Sequence, residues 1–274
     1  MRSVPLALYL AGVCLAATTV VALDFGMASP TTVTWPAAGA VPAAPIPTST
    51  TPTSTPTPTS KAGAPPLDTF RSGADLPPGP AFPQHGTGTW RVVPASAGAT
   101  TGITYTVEVE DGVVLPHGDN SFAAVVDHAL RHPRGWAGRY AFRRVGGGVE
   151  PELRIRLTSQ QTARALCGFE LPYDTSCRVG PIVYLSTARW FRGAHTYGDD
   201  LRGYRIYAVN HEVGHFLGLG HEVCPQDGAP APVMMQQTLS VDNDGLASIT
   251  TGSDQGVVVT PDGKSCTPNP WPSW

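Results

Sequence analysis

Apolar positions fall into three unlike arrangements along the 274-residue chain. The first is continuous. Val4 to Leu23 is apolar over 20 positions apart from Thr18 and Thr19, with Arg2 before it and Asp24 after it. A helix of that length, at about 1.5 Å per residue, spans a bilayer. Residues 1–29 therefore read as an N-terminal membrane anchor, or as a signal segment cleaved near Gly26-Met27-Ala28. Arg2, the only early cation, places the following chain on the outer side of the membrane. In the second arrangement, residues 30–66, periodicity gives way to Pro, Thr, Ser and Ala. Such a stretch cannot bury enough apolar area to offset its chain entropy, and it reads as a disordered linker. Fully extended at about 3.1 Å per residue, it would reach roughly 115 Å.

The third arrangement, residues 67–274, carries the periodicities of a folded domain. Ile103 to Glu110 alternates as a strand does, and Asp111-Gly112 closes it. Asn120 is placed to cap a helix from Ser121 to Arg131, with Phe122, Val125, Val126 and Leu130 on one face and Pro133 ending it. Tyr140 to Val145 and Glu152 to Leu157 read as strands joined by a turn at Gly146-Gly147-Gly148. Pro181 to Ser186 reads as a further strand, and Tyr204 to Leu217 as a second helix. This order predicts an α+β fold with a mixed sheet.

Composition refines the picture. Half of the 28 prolines lie between Pro30 and Pro83, and with that stretch set aside roughly 200 residues remain to build a core. The net charge is -3 and the only lysines are Lys61 and Lys264, which excludes the clustered cations a nucleic-acid partner needs. Cys167, Cys177, Cys224 and Cys266 form an even set in the domain, which outside a membrane reads as two disulfides. Three pairings are possible. Cys167–Cys177 with Cys224–Cys266 is favoured, because each pair then stays on its own side of the second helix. The spacings match no zinc-knuckle pattern.

One segment carries chemistry: Asn210-His211-Glu212-Val213-Gly214-His215-Phe216-Leu217-Gly218-Leu219-Gly220-His221-Glu222. His211 and His215, four apart on a helix, share a face and can share a metal. Glu212 projects beside them, where a carboxylate can act on water without ligating the ion. Gly218 can end the helix in a left-handed conformation and swing His221 back as a third ligand. Three imidazoles with one open position describe a catalytic Zn²⁺ site. The full pattern H-E-x-x-H-x-x-G-x-x-H arises by chance on the order of once in 10⁴ to 10⁵ such chains.

The segment resembles the active site of the metzincins, the zinc metallopeptidase clan of astacins, serralysins and matrix metalloproteinases. Those enzymes place a methionine turn beneath the metal. Pro232-Val233-Met234-Met235 resembles it, with Met234 in frame and Met235 the alternate. Together with Ala231 to Thr238 and Asn269-Pro270-Trp271-Pro272, the chain looks most like uncharacterised secreted or anchored metzincin-like domains of actinobacteria. The resemblance implies a two-subdomain zinc peptidase whose small C-terminal subdomain is stapled by a disulfide. It also implies an edge strand above the zinc helix that pairs with the substrate, a role that falls to Ile182-Val183-Tyr184-Leu185.

Two positions depart from the pattern. Gln236 stands where astacins and serralysins carry a metal-touching tyrosine, and Glu222 follows His221 as in astacins. Val241 to Gly263 reads as a loop insertion, with Asp242-Asn243-Asp244-Gly245 a turn. The expected function is a zinc-dependent endopeptidase, secreted or anchored on the outer face of the cell membrane, acting on peptide or protein. The alternatives are a zinc-dependent cell-wall amidase and a non-catalytic surface module that retains the metal.

Overall fold

A computed structural model describes residues 72–95, 100–168, 171–252 and 258–272. The proposed anchor (1–29) and linker (30–66) lie outside them, and among the described residues no helix is long and apolar enough to cross a membrane. The fold is α+β. Its elements are β1 (Trp90–Val92), β2 (Ile103–Glu110), α1 (Asp119–Arg131), β3 (Phe142–Arg144), β4 (Leu153–Thr158), α2 (Gln160–Cys167), β5 (Cys177–Val179), β6 (Ile182–Ser186), α3 (Thr187–Arg192), α4 (Leu201–Phe216) and α5 (Asn243–Thr250). The sheet runs β1-β2-β4-β6-β5, with β3 also on β2. β2, β4 and β6 are parallel, whereas β1 and β5 are antiparallel to their neighbours.

Alternation in the central strands decides which face meets the helices. Tyr105, Val107 and Val109, Leu153, Ile155 and Leu157, and Val183 and Leu185 are buried in one core with Phe122, Val126 and Leu130 of α1 and Val209 and Val213 of α4. The opposite face of β2 is polar yet also covered. Glu108 accepts hydrogen bonds from Thr106, Arg154 and Arg156 at 2.7 to 2.8 Å. Glu110 accepts from the Ser159 amide and the Thr162 hydroxyl at 2.6 and 2.7 Å. The buried guanidinium of Arg189 donates to the carbonyls of Ala74, Asp75, Asp174 and Gly193, fastening the entering chain to α3.

Both disulfides take the expected pairing, Cys167–Cys177 and Cys224–Cys266. The second lies in a separate apolar cluster with Ala231, Met235, Leu239 and Leu246.

Several expectations need correction. Helix α1 starts at Asp119, with Gly118 and not Asn120 at its cap, and Asp119 is gripped by Arg91 at 2.6 Å. β3 is shorter than Tyr140–Val145 and does not pair with β4; both run parallel to β2. Helix α4 begins at Leu201, where Asp200 accepts the Gly203 amide. Val241–Gly263 is not all loop. Asp242 caps α5, so Asp242–Gly245 is a helix start and not a free turn. Most consequentially, Pro181–Ser186 is not an edge: β6 lies between β4 and β5, and β5 forms the rim.

Candidate metal centre

Helix α4 is buried on almost every side from Tyr204 to Gly214, so its polar residues sit in the interior by necessity of their position. His211 and Glu212 are buried, and His215 is half-buried one turn later. The helix then ends as its sequence requires. Gly218 takes φ +89°, its amide donates to the His215 carbonyl, and the Leu219 amide donates to the Gly214 carbonyl. These two bonds form a Schellman stop, and they turn the chain so that His221 faces the helix. The side-chain nitrogens of His211, His215 and His221 come within 4.8 Å of one another. The closest two, the Nε2 atoms of His215 and His221, are 3.1 Å apart.

Backbone carbonyls fix the rings. His211 Nδ1 donates to Val233 O at 2.8 Å and His215 Nδ1 to Leu219 O at 2.9 Å. A carbonyl can only accept, so each Nδ1 carries the proton and each Nε2 offers a lone pair to the centre. Burial, with the two neighbouring imidazoles adding to it, pushes the His211 pKa well below the ordinary range, and burial also lowers that of His215. Neutral rings with converging lone pairs are the form in which histidine binds metal.

Glu212 is not among the converging donors. Burial raises its pKa to about 8, against the opposing charge of Arg178. Its Oε2 is buried with no hydrogen-bond partner. A buried carboxylate oxygen left without a donor is costly, which points to a ligand that satisfies it. The residues therefore fit a metal with an associated water. Nitrogens bound at about 2.0–2.1 Å to one tetrahedral metal ion lie roughly 3.3 Å apart, close to the spacing of the nearest pair.

Beneath the histidines, Pro232 to Met235 closes as a turn, with the Met235 amide on the Pro232 carbonyl at 3.0 Å. Met234 is buried against Gly214, while Met235 belongs to the disulfide-centred cluster. The Met234 carbonyl receives the Glu222 amide at 3.0 Å, and the Met235 carbonyl receives the Tyr207 hydroxyl at 2.9 Å. Thus His211, Glu212, His215, Gly218, His221 and Met234 are brought together.

Of the surroundings, sequence reasoning singles out Ala231 to Thr238 and Asn269-Pro270-Trp271 but misses the rest. A cleft of about 260 Å³ opens on the histidines and is lined also by Thr175, Arg178, Tyr204, Tyr207, Gln236 and Thr238. Tyr204 and Tyr207 precede His211 by seven and four positions, so helical periodicity places them on its face. Gln237, fully buried, ties Tyr197, Pro232 and Asn269 together. Asn210 donates to the Pro270 carbonyl at 2.9 Å, so the Asn269-Pro270-Trp271 strap holds the helix from behind.

Fold and site define an α+β domain with an open three-histidine centre able to hold a metal ion. The chain belongs to the family described as Protein of unknown function (DUF3152), which matches residues 76–273. No curated protein and no solved structure matches the chain.

Proposed function

We propose that the protein is a zinc-dependent endopeptidase of metzincin type, acting outside the cytoplasm. The observation that carries the reading is the convergence of three imidazoles beside the unpartnered, buried carboxylate of Glu212, at the floor of an open cleft. His211, His215 and His221 would hold Zn²⁺. When bound, that ion supplies Lewis-acid polarisation and a nucleophilic water near neutral pH. Glu212 takes the proton of the attacking water on its carboxylate and returns it to the departing amine. Burial suits it to this exchange, because a carboxyl whose pKa is raised toward neutrality can both accept and donate. The carbonyls of Val233 and Leu219 keep the imidazoles oriented throughout. The cleft side of β5 offers the substrate an open strand edge. Two disulfides support an exported location.

The test is metal analysis of the folded domain together with digestion of a mixed peptide library. Zinc at one equivalent and cleavage of internal peptide bonds are expected. Glu212→Gln should keep the metal and lose hydrolysis by at least about a hundredfold, and His215→Ala should lose both. Full activity in Glu212→Gln, or a domain that binds no zinc, overturns the proposal.

A further inference from the structure

Among the described residues, Arg178 is the one charged group of the cleft to which the peptidase chemistry gives no role. It sits in the middle of β5, the three-residue strand whose outer edge no strand covers among the described residues. Its register partner is Val183, which is buried in the core with α4. Residues directly opposite in an antiparallel pair share a face, so the Arg178 side chain leaves the sheet on the α4 side, at the open rim. There it lines the cleft with His211, Glu212, His215 and His221.

Five other arginines of the domain are neutralised by ion pairs. Arg91, Arg144, Arg154, Arg156 and Arg164 each pair with a carboxylate. Arg178 makes a single hydrogen bond, to the Gly180 carbonyl at 3.3 Å, and among the described residues it has no ion pair. Among the described residues Glu212 is the only carboxylate lining the cleft, and it lies at the floor. The rim therefore carries an unneutralised guanidinium, beside histidines that a metal would make more positive still. A cleft of one sign draws ligands of the other, and a guanidinium offers a planar pair of donors that matches a carboxylate.

We propose that Arg178 is a specificity-determining residue that receives a carboxylate of the substrate, selecting peptides with an acidic side chain or a free C-terminus close to the cleaved bond. This rests on the peptidase reading. The test therefore begins with binding. Glu212→Gln protein, zinc-loaded, is titrated with labelled peptide pairs that differ in Glu against Gln, or in a free against an amidated C-terminus. The two pairs distinguish the two sources of carboxylate.

The acidic member of at least one pair should bind about tenfold more tightly, and raised salt should shrink the difference. Adding Arg178→Ala should abolish the preference, Arg178→Lys should restore part of it, and Arg178→Glu should reverse it toward Lys-containing peptides. In the active protein, the loss in Arg178→Ala should appear in KM for acidic peptides. Equal binding of both members of both pairs overturns the role of Arg178 while leaving peptide hydrolysis standing. A drop in kcat of equal size for acidic and neutral peptides, with KM unchanged, also overturns it. A protein that binds and cleaves no peptide overturns the peptidase reading and this inference together.

Discussion

His211 Nδ1 lies 2.8 Å from the carbonyl oxygen of Val233, the residue immediately before Met234. The ring that opens the histidine motif is thus oriented by a turn 22 residues further along the chain. His215 is oriented in the same way by Leu219, from within the segment that reverses after the helix. Metal-binding histidines are commonly held through the second nitrogen, and such partners tune affinity by ten- to a hundredfold. Here both partners are backbone carbonyls. Side-chain substitution cannot remove them directly, and only displacement of the turn or of the Gly218 reversal can.

Gly214 offers that displacement. A methyl group there would overlap Met234 Sδ and stand 3.0 Å from Trp136 Cζ2. Trp136 is not free to retreat, because its indole N–H donates to the Asn210 carbonyl at 2.9 Å. Gly214→Ala is expected to cost about 1–3 kcal/mol by overpacking and to weaken metal binding by moving the Val233 carbonyl. Denaturant midpoints and competitive zinc titration would read both effects. A variant as stable and as zinc-avid as the parent would show that the contact relaxes freely.

Much of this centre was legible because its signals are local. Histidines four apart on one helix, and a glycine placed to stop it, need no knowledge of the rest of the chain. The eight residues of β2 were equally legible, since they are long enough to alternate. The rim was not. β1 and β5 have three residues each, too few for a period to emerge, and of the strand read over Tyr140–Val145 only the three residues of β3 form. Helix α2, Gln-Gln-Thr-Ala-Arg-Ala-Leu-Cys, is eight residues long and buries only Ala163 among its described side chains, too little for a helical period to stand out. Edge position is not written in a strand's own alternation, yet the apolar run Ile182-Val183-Tyr184-Leu185 does carry a hint. A strand apolar at every position is covered on both faces, as interior parallel strands are.

The disulfides differ in the chain they close, with separations of 10 and 42 residues. On the chain-entropy account these correspond to about 3 and 4 kcal/mol. Replacing Cys224 and Cys266 together by Ser should therefore cost more than replacing Cys167 and Cys177. It should also reach the site, because Met235 packs in the same cluster and its carbonyl anchors Tyr207. Denaturation of the two double variants, with zinc content measured on each, checks the ranking. Equal losses would mean that strain or residual structure outweighs loop length.

Acid sensitivity should report on Glu108. Burial raises the pKa of this carboxyl, but hydrogen bonds from Thr106, Arg156 and Arg154 outweigh it, so the net shift is downward from the ordinary 4.5. The folded-state value lies below the unfolded one. The stabilisation is complete above the unfolded value and disappears as pH falls through the folded one. Glu108→Gln is expected to cost about 1–3 kcal/mol at pH 7 by leaving Arg154 and Arg156 short of an acceptor, and progressively less below pH 4.5. Urea midpoints at pH 7 and pH 3 would show the two proteins converging; a constant gap would place the acid response elsewhere.

The open rim makes a claim about substrate shape. With β6 enclosed between β4 and β5, a proline at Val183 would break the interior ladder and unfold the sheet, so it cannot probe recognition. The free edge of β5 can pair with an extended peptide. Three residues at about 3.3 Å each match a segment of roughly 10 Å, so kcat/KM should climb as linear peptides lengthen through the first few residues on the β5 side and then level off. Methylating a peptide nitrogen that pairs with the rim keeps the side chains but removes a donor, and should cost about fivefold per bond, the equivalent of about 1 kcal/mol. On the peptidase reading, binding energy spent there would hold the scissile carbonyl over the histidines, so the loss should appear in turnover as well as in affinity. The comparison substrate is purified peptidoglycan. Rates indifferent to peptide length and to N-methylation, together with release of wall fragments, would show that the centre hydrolyses cell-wall amides and that the rim serves another purpose.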